Sequence, residues 1–115
     1  MNNIQKKLSM TTFPAWFKEK ITEEQYMWYI LQGYEIEIEV DRITFYINKK
    51  LHREDGPALI CSNGTKKWFI DNEFHRTDGP AVEWWDNTTE WWIDGKKYPK
   101  DKFHAIISKI ELDQQ

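Results

Sequence analysis

The sequence is short of the features that announce chemistry. One cysteine in 115 residues excludes an internal disulfide, so stability does not rest on oxidation and a reducing compartment is acceptable. No apolar run reaches signal or membrane-spanning length, which leads us to expect no export, no membrane anchor and a cytoplasmic location. A formal charge of −3 leaves no basic surplus for nucleic acid or an anionic membrane surface. There is no Gly-rich phosphate loop, nucleophile elbow, cysteine pair for zinc or His-Glu-x-x-His. We therefore expect no catalytic residues, no metal, no cofactor and no enzyme activity. Cys61 falls in an apolar strand and reads as an inert buried thiol. His104 stands alone on a helix, and Glu35, Glu37 and Glu39 could act as general acids only inside a cleft.

Aromatic side chains, by contrast, are abundant. Seven Trp, six Phe and five Tyr share a chain that is 30% charged, a pairing that suits thin β-architecture with one wet and one buried face. The chain also repeats itself. "HREDGPA" at 52–58 returns as "HRTDGPA" at 75–81, and overlaying 52–74 on 75–97 gives ten identities in 23 positions. Stepping back by the same interval from "WFIDNEFHR" at 68–76 reaches "FYINKKLHR" at 45–53. About two and a half 23-residue units result, a period that belongs to stacked supersecondary units rather than to a catalytic site, which is assembled once.

Each unit reads as strands joined by tight turns. "TKKWFI" and "TTEWWI" run into Asp71-Asn72 and Asp94-Gly95, pairs that tolerate the left-handed conformations of two-residue hairpins, with Asn48-Lys49 as a weaker counterpart. Asn63-Gly64 tips a second hairpin, whereas the matching Asn87-Thr88 lacks the glycine and predicts a looser turn. In "YEIEIEVDRITFYI", Tyr34, Ile36, Ile38 and Val40 alternate with Glu35, Glu37 and Glu39 up to a turn near Asp41-Arg42.

Helices flank the strands. Thr22-Glu23-Glu24-Gln25 is a capping box, opening a helix that runs to about Gln32 with Gly33 just beyond it. Its expected apolar stripe is Ile21, Tyr26, Met27, Ile30 and Leu31. Pro99 opens a second helix carrying Phe103, Ile106, Ile107 and Ile110. Each helix is expected to cover an open end of the sheet, where an exposed edge would invite aggregation.

Asp-Gly-Pro-Ala is turn chemistry, in which Gly56 and Gly79 can take positive φ and Pro57 and Pro80 fix theirs. Arg53 and Arg76 reach a local carboxylate or carbonyl. His52 and His75 could in principle join their aspartates around a metal, but stacked units would hold the two rings too far apart to share one ion. They read instead as identical anchors of identical loops.

Period-two alternation places Phe45/Ile47, Trp68/Ile70 and Trp91/Ile93 on one face, taken as the core. Tyr46, Phe69 and Trp92 fall on the other face with Lys67 and Glu90, and Trp85, with Glu83 beside it, would extend that stripe. Such a stripe either packs as a second apolar layer or forms a protein-binding surface. In "FPAWFKEK" at 13–20, Phe13, Trp16 and Phe17 are a hydrophobic anchor for the N-terminal helix or an exposed binding element. The candidate binding residues are Tyr46, Phe69, Trp85, Trp92 and Trp16.

The units at about 43–104 resemble the MORN-like β-hairpin repeats written His-Arg-x-Asp-Gly-Pro-Ala … Asp-Gly … Trp … Asn-Gly-Lys, found in tailed-phage and large-virus proteins. Asn87 stands where that pattern has a glycine, the first unit is half present, and residues 1–42 match no part of it. The resemblance implies protein–protein contact, and for a small acidic phage protein it implies binding and inhibiting a host or defence protein in the host cytoplasm.

The expected fold is mostly β with flanking helices: an antiparallel β-meander of roughly seven or eight strands built from the repeats, with a helix cap at each end. Residues 1–33, 34–98 and 99–115 would be the N-terminal cap, the repeats and the C-terminal cap of a single domain. The expected partner is a host protein, with no nucleic acid and no membrane. A small-molecule binder holding a nucleotide or sugar ring in an aromatic pocket is the alternative, and a homo-oligomer covering its own stripe is a third reading.

Overall fold

The computed structural model describes residues 15–18 and 21–114. Two short helices come first, α1 (Ala15–Lys18) and α2 (Glu23–Leu31). The strands are β1 (Glu35–Ile38), β2 (Arg42–Ile47), β3 (Lys50–Leu51), β4 (Leu59–Cys61) and β5 (Lys66–Lys67). They continue with β6 (Phe69–Ile70), β7 (Glu73–Phe74), β8 (Val82–Glu83), β9 (Thr89–Ile93) and β10 (Lys96–Tyr98), and the chain closes on α3 (Lys100–Asp113). The architecture is thus mostly antiparallel β, with helices before and after.

Local chemistry sets the boundaries. The Thr22 hydroxyl accepts from Gln25 N–H at 3.1 Å while the Gln25 side chain accepts from Thr22 N–H at 2.8 Å, closing both halves of the capping box. Gly33, at φ +99°, lets the chain leave the helix. Both central residues of the turns 48–49, 71–72 and 94–95 have positive φ, the twist that two-residue hairpins require. The turn expected to loosen without its glycine does not. Asn87 takes φ +70° in the place of Gly64, and the Asp86 carboxylate accepts from Thr88 N–H as the Asn63 amide accepts from Thr65 N–H.

The strands do not form a plain meander. One eight-stranded sheet runs β1-β2-β4-β5-β8-β9-β10, with β3 also paired to β2, while β6 and β7 form a separate two-stranded ribbon. One edge of β2 is shared, its first half pairing β4 and its second half β3. A straight sequence-order reading misses this because it assumes one neighbour per strand edge, whereas β2 changes partner along its length. The helices close faces rather than edges: Tyr29 packs against Phe45, and Phe103 against Trp91. Among the described residues no further strand pairs with β1 or β10 on its outer side.

The repeated loop residues make repeated bonds. Arg53 Nε donates to Asp55 at 3.1 Å and Nη1 to the Pro57 carbonyl at 3.0 Å; Arg76 does the same to Asp78 at 2.8 Å and Pro80 at 3.0 Å. Gly56 and Gly79 are not among the residues with positive φ. They are glycine because a Cβ would stand 2.8 Å from the Arg53 Cζ or 2.6 Å from the Arg76 Cζ. Each histidine fixes the next hairpin turn: Asp71 N–H donates to His52 Nδ1 and Asp94 N–H to His75 Nδ1. The two rings serve different turns, as identical loop anchors should.

Burial departs from the expected single core. Phe17, Tyr26, Tyr29, Tyr34, Ile43 and Phe45 form one cluster with Ala58 and Ile60, and Ile93, Phe103 and Ile107 form another. Phe45 and Ile93 are therefore core as expected, but Ile47, Trp68, Ile70 and Trp91 are only half-buried. Alternation gives a side chain its face; it does not supply a layer to cover it, and Trp68 and Ile70 belong to neither cluster. In α2 the buried residues are Tyr26, as expected, and Tyr29 in place of Leu31, which is 78% exposed. Val40 is exposed at the β1–β2 turn, and Cys61 is half-buried instead of buried.

Candidate functional site: an aromatic band

The second face of the strands carries a connected series of rings. Phe69 stacks on Phe74 across β6–β7 with centroids 4.5 Å apart, and Phe74 meets Trp92 of β9 at 5.0 Å. Glu90 extends the series, accepting from the Trp92 indole N–H at 3.0 Å with one oxygen and from the Trp84 indole N–H at 2.8 Å with the other. The Lys67 ammonium sits 4.7 Å above the Trp84 ring, and Trp85 stands edge-on to Trp84 at 6.2 Å. Trp85 is 61% exposed, whereas Phe69, Phe74, Trp84 and Trp92 are half-buried. The band thus has a locked base and one projecting ring.

Of the five candidates read from the sequence, the structure joins Phe69, Trp92 and Trp85. Tyr46 lies apart, donating to Glu37 at 3.3 Å and lining a small hollow with Glu35, Ile36 and Lys49. Trp16 packs on the N-terminal core, its indole donating to the Val40 carbonyl at 3.2 Å, and Phe17 is buried there, so these two anchor the helix. Phe13 lies outside the described residues. Glu83, expected beside Trp85, accepts from Arg76 Nη1 at 3.0 Å. Sequence reasoning missed Trp84 and Phe74, which are the links. The period-two rule stops where β8 ends at Glu83, so it could not place Trp84.

Glu90 holds the base together electrostatically. Burial alone would raise its carboxyl, but the Trp84 and Trp92 indoles, aided by Lys97 and Lys67, outweigh burial and hold it below its ordinary value of 4.5. A carboxyl depressed on folding contributes stability above its unfolded value and loses it as pH falls through the folded one. Acid titration of tryptophan fluorescence is therefore expected to show a change below pH 4.5 that Glu90→Gln abolishes. An identical transition in the variant would place the acid effect elsewhere.

Among the described residues no group of three or more His, Cys, Asp or Glu is placed to hold a metal ion. None of the described helices is long and apolar enough to cross a membrane. No family model, curated protein or solved structure matches the chain. The geometry itself must carry the functional reading.

Proposed function

We propose that the protein is a non-enzymatic binding module that recognises another protein, and that its β-region is an array of about two and a half 23-residue hairpin repeats. The observation that carries this reading is Trp85, an exposed indole on a base fixed by Phe69, Phe74, Trp84, Trp92 and Glu90. A large ring held in place before binding loses little freedom on contact, which is what makes tryptophan a frequent interface hot spot. The recurrence of the arginine, histidine and turn contacts at the 23-residue interval supports the array. The resemblance to viral repeat proteins makes the partner a host-cell protein and the outcome its inhibition, in the host cytoplasm.

The test is capture of partners from host lysate by the tagged protein, followed by affinity measurement on the enriched species. Trp85→Ala, at a solvent-exposed position, is expected to weaken that affinity about tenfold or more. Unchanged affinity would remove the band from the contact surface, and no enriched protein would count against a stable protein partner.

A further inference from the structure

The first and second loops hold the same arginine–aspartate fork, and in the first the fork is filled. Tyr29 of α2 inserts its hydroxyl there, accepting from Arg53 Nη2 at 2.8 Å and donating to Asp55 Oδ2 at 2.7 Å. Burial, reinforced by the bond to Asp55, raises that phenol above its ordinary value, so it remains a donor. The Arg53 guanidinium lies 4.3 Å over the Phe45 ring, and this stack forms the floor beneath the phenol.

In the second loop the bonds within the loop recur, and Arg76 Nη1 donates in addition to Glu83 at 3.0 Å. Arg76 Nε bonds Asp78 Oδ1, Nη1 bonds the Pro80 carbonyl, and the guanidinium lies 3.9 Å over Trp68, the counterpart of Phe45. Arg76 holds the Asp78 carboxyl below its ordinary value, so it is an ionised acceptor at neutral pH. Glu83 gives the guanidinium a third partner at Nη1, but among the described residues no hydroxyl bridges the fork as Tyr29 does, and Arg76 Nη2 and Asp78 Oδ2 make no hydrogen bond to another residue. The two groups line a groove of about 650 Å³ together with Trp68, Ile70 and Pro57. The third unit has no such site, because Pro99 replaces the arginine and Phe103 packs on Trp91.

We infer that the Arg76–Asp78 fork and its groove are a receptor for the phenolic side chain of a tyrosine on the bound protein, docking as Tyr29 docks within the chain. A phenol suits the fork because its one oxygen both accepts from a guanidinium and donates to a carboxylate, while its ring covers apolar surface. An aliphatic or unsubstituted aromatic side chain would leave both polar groups unpaired. The inference rests on the protein-binding reading above and gives that reading a second, chemically selective contact.

The test needs no partner. The isotope-labelled full chain is titrated with p-cresol, the tyrosine side chain alone, while the Arg76 Nε–H and Trp68 Nε1–H resonances are followed. We expect a saturable shift of both signals in the millimolar range, the affinity suited to so small a fragment. Toluene, which lacks the hydroxyl, is expected to bind at least tenfold more weakly. Asp78→Asn, a change at an exposed side chain that keeps its shape, is expected to weaken p-cresol by a similar factor. Equal response to toluene and p-cresol, or an undiminished response in Asp78→Asn, would overturn the fork as receptor. Binding of p-cresol without binding of N-acetyl-tyrosinamide would overturn tyrosine as the source of the phenol. Failure here would leave capture through Trp85 standing, and failure of capture would leave the fork measured on its own.

Discussion

Phe45→Ala is expected to lower the free energy of unfolding by about 3–5 kcal/mol, as truncation of a fully enclosed phenylalanine does. Phe45 has no exposed surface, and its ring is met edge-on by Tyr29 at 5.2 Å and Tyr34 at 6.0 Å. The Arg53 guanidinium covers a face of the same ring. These neighbours come from α2, from the chain just before β1 and from the first loop, so none can collapse into the cavity without displacing another. Denaturant unfolding followed by circular dichroism measures the loss. A cost below about 1 kcal/mol would mean that the site closes around the smaller side chain.

Arg53→Lys is the second large effect, about 2–3 kcal/mol, although it preserves the charge. The Arg53 side chain is 14% exposed and spends its donors on Asp55, the Pro57 carbonyl and Tyr29. An ammonium cannot reach three such partners in one plane while lying over Phe45, so at least one buried acceptor loses its donor. Tyr29→Phe removes a single oxygen and should cost about 1–2 kcal/mol. Because both changes break one network, the double variant should lose less than the sum of the two. Strict additivity in that cycle would show that the phenol and the guanidinium stabilise the fold independently.

Much of the local structure was legible in the sequence because its causes lie a few residues apart. The Thr22–Gln25 box, the left-handed pairs at 71–72 and 94–95, and the loop bonds of Arg53 and Arg76 are all settled within about one turn of chain. Gly56 and Gly79 were placed correctly for the wrong reason: the constraint is room for a guanidinium, not backbone freedom. What stayed hidden depends on distant partners. Tyr29 could not be chosen over Leu31 without knowing that a fork formed at residues 53–55 would receive its hydroxyl. Trp68 carries the same pattern as Phe45, but only Phe45 lies where Tyr29 of α2 covers it. In the band, Phe69 and Trp92 were legible as a shared face, whereas Trp84 enters through a hydrogen bond to Glu90 that no periodicity announces.

The two separate apolar clusters bear on how the body moves. Its longest dimension is 46 Å and its shortest 21 Å, and each large cluster sits under a helix. Outside both clusters the enclosed side chains include Thr65, Ala81 and Val82, none of them aromatic. Resistance to deformation follows the density of buried contacts, so compliance concentrates at this waist. Flexing there would change the width of the groove over Trp68, and a ring wedged into the groove would stiffen the span. Occupancy at the waist would then be felt as altered mobility at both helices, though neither touches the ligand.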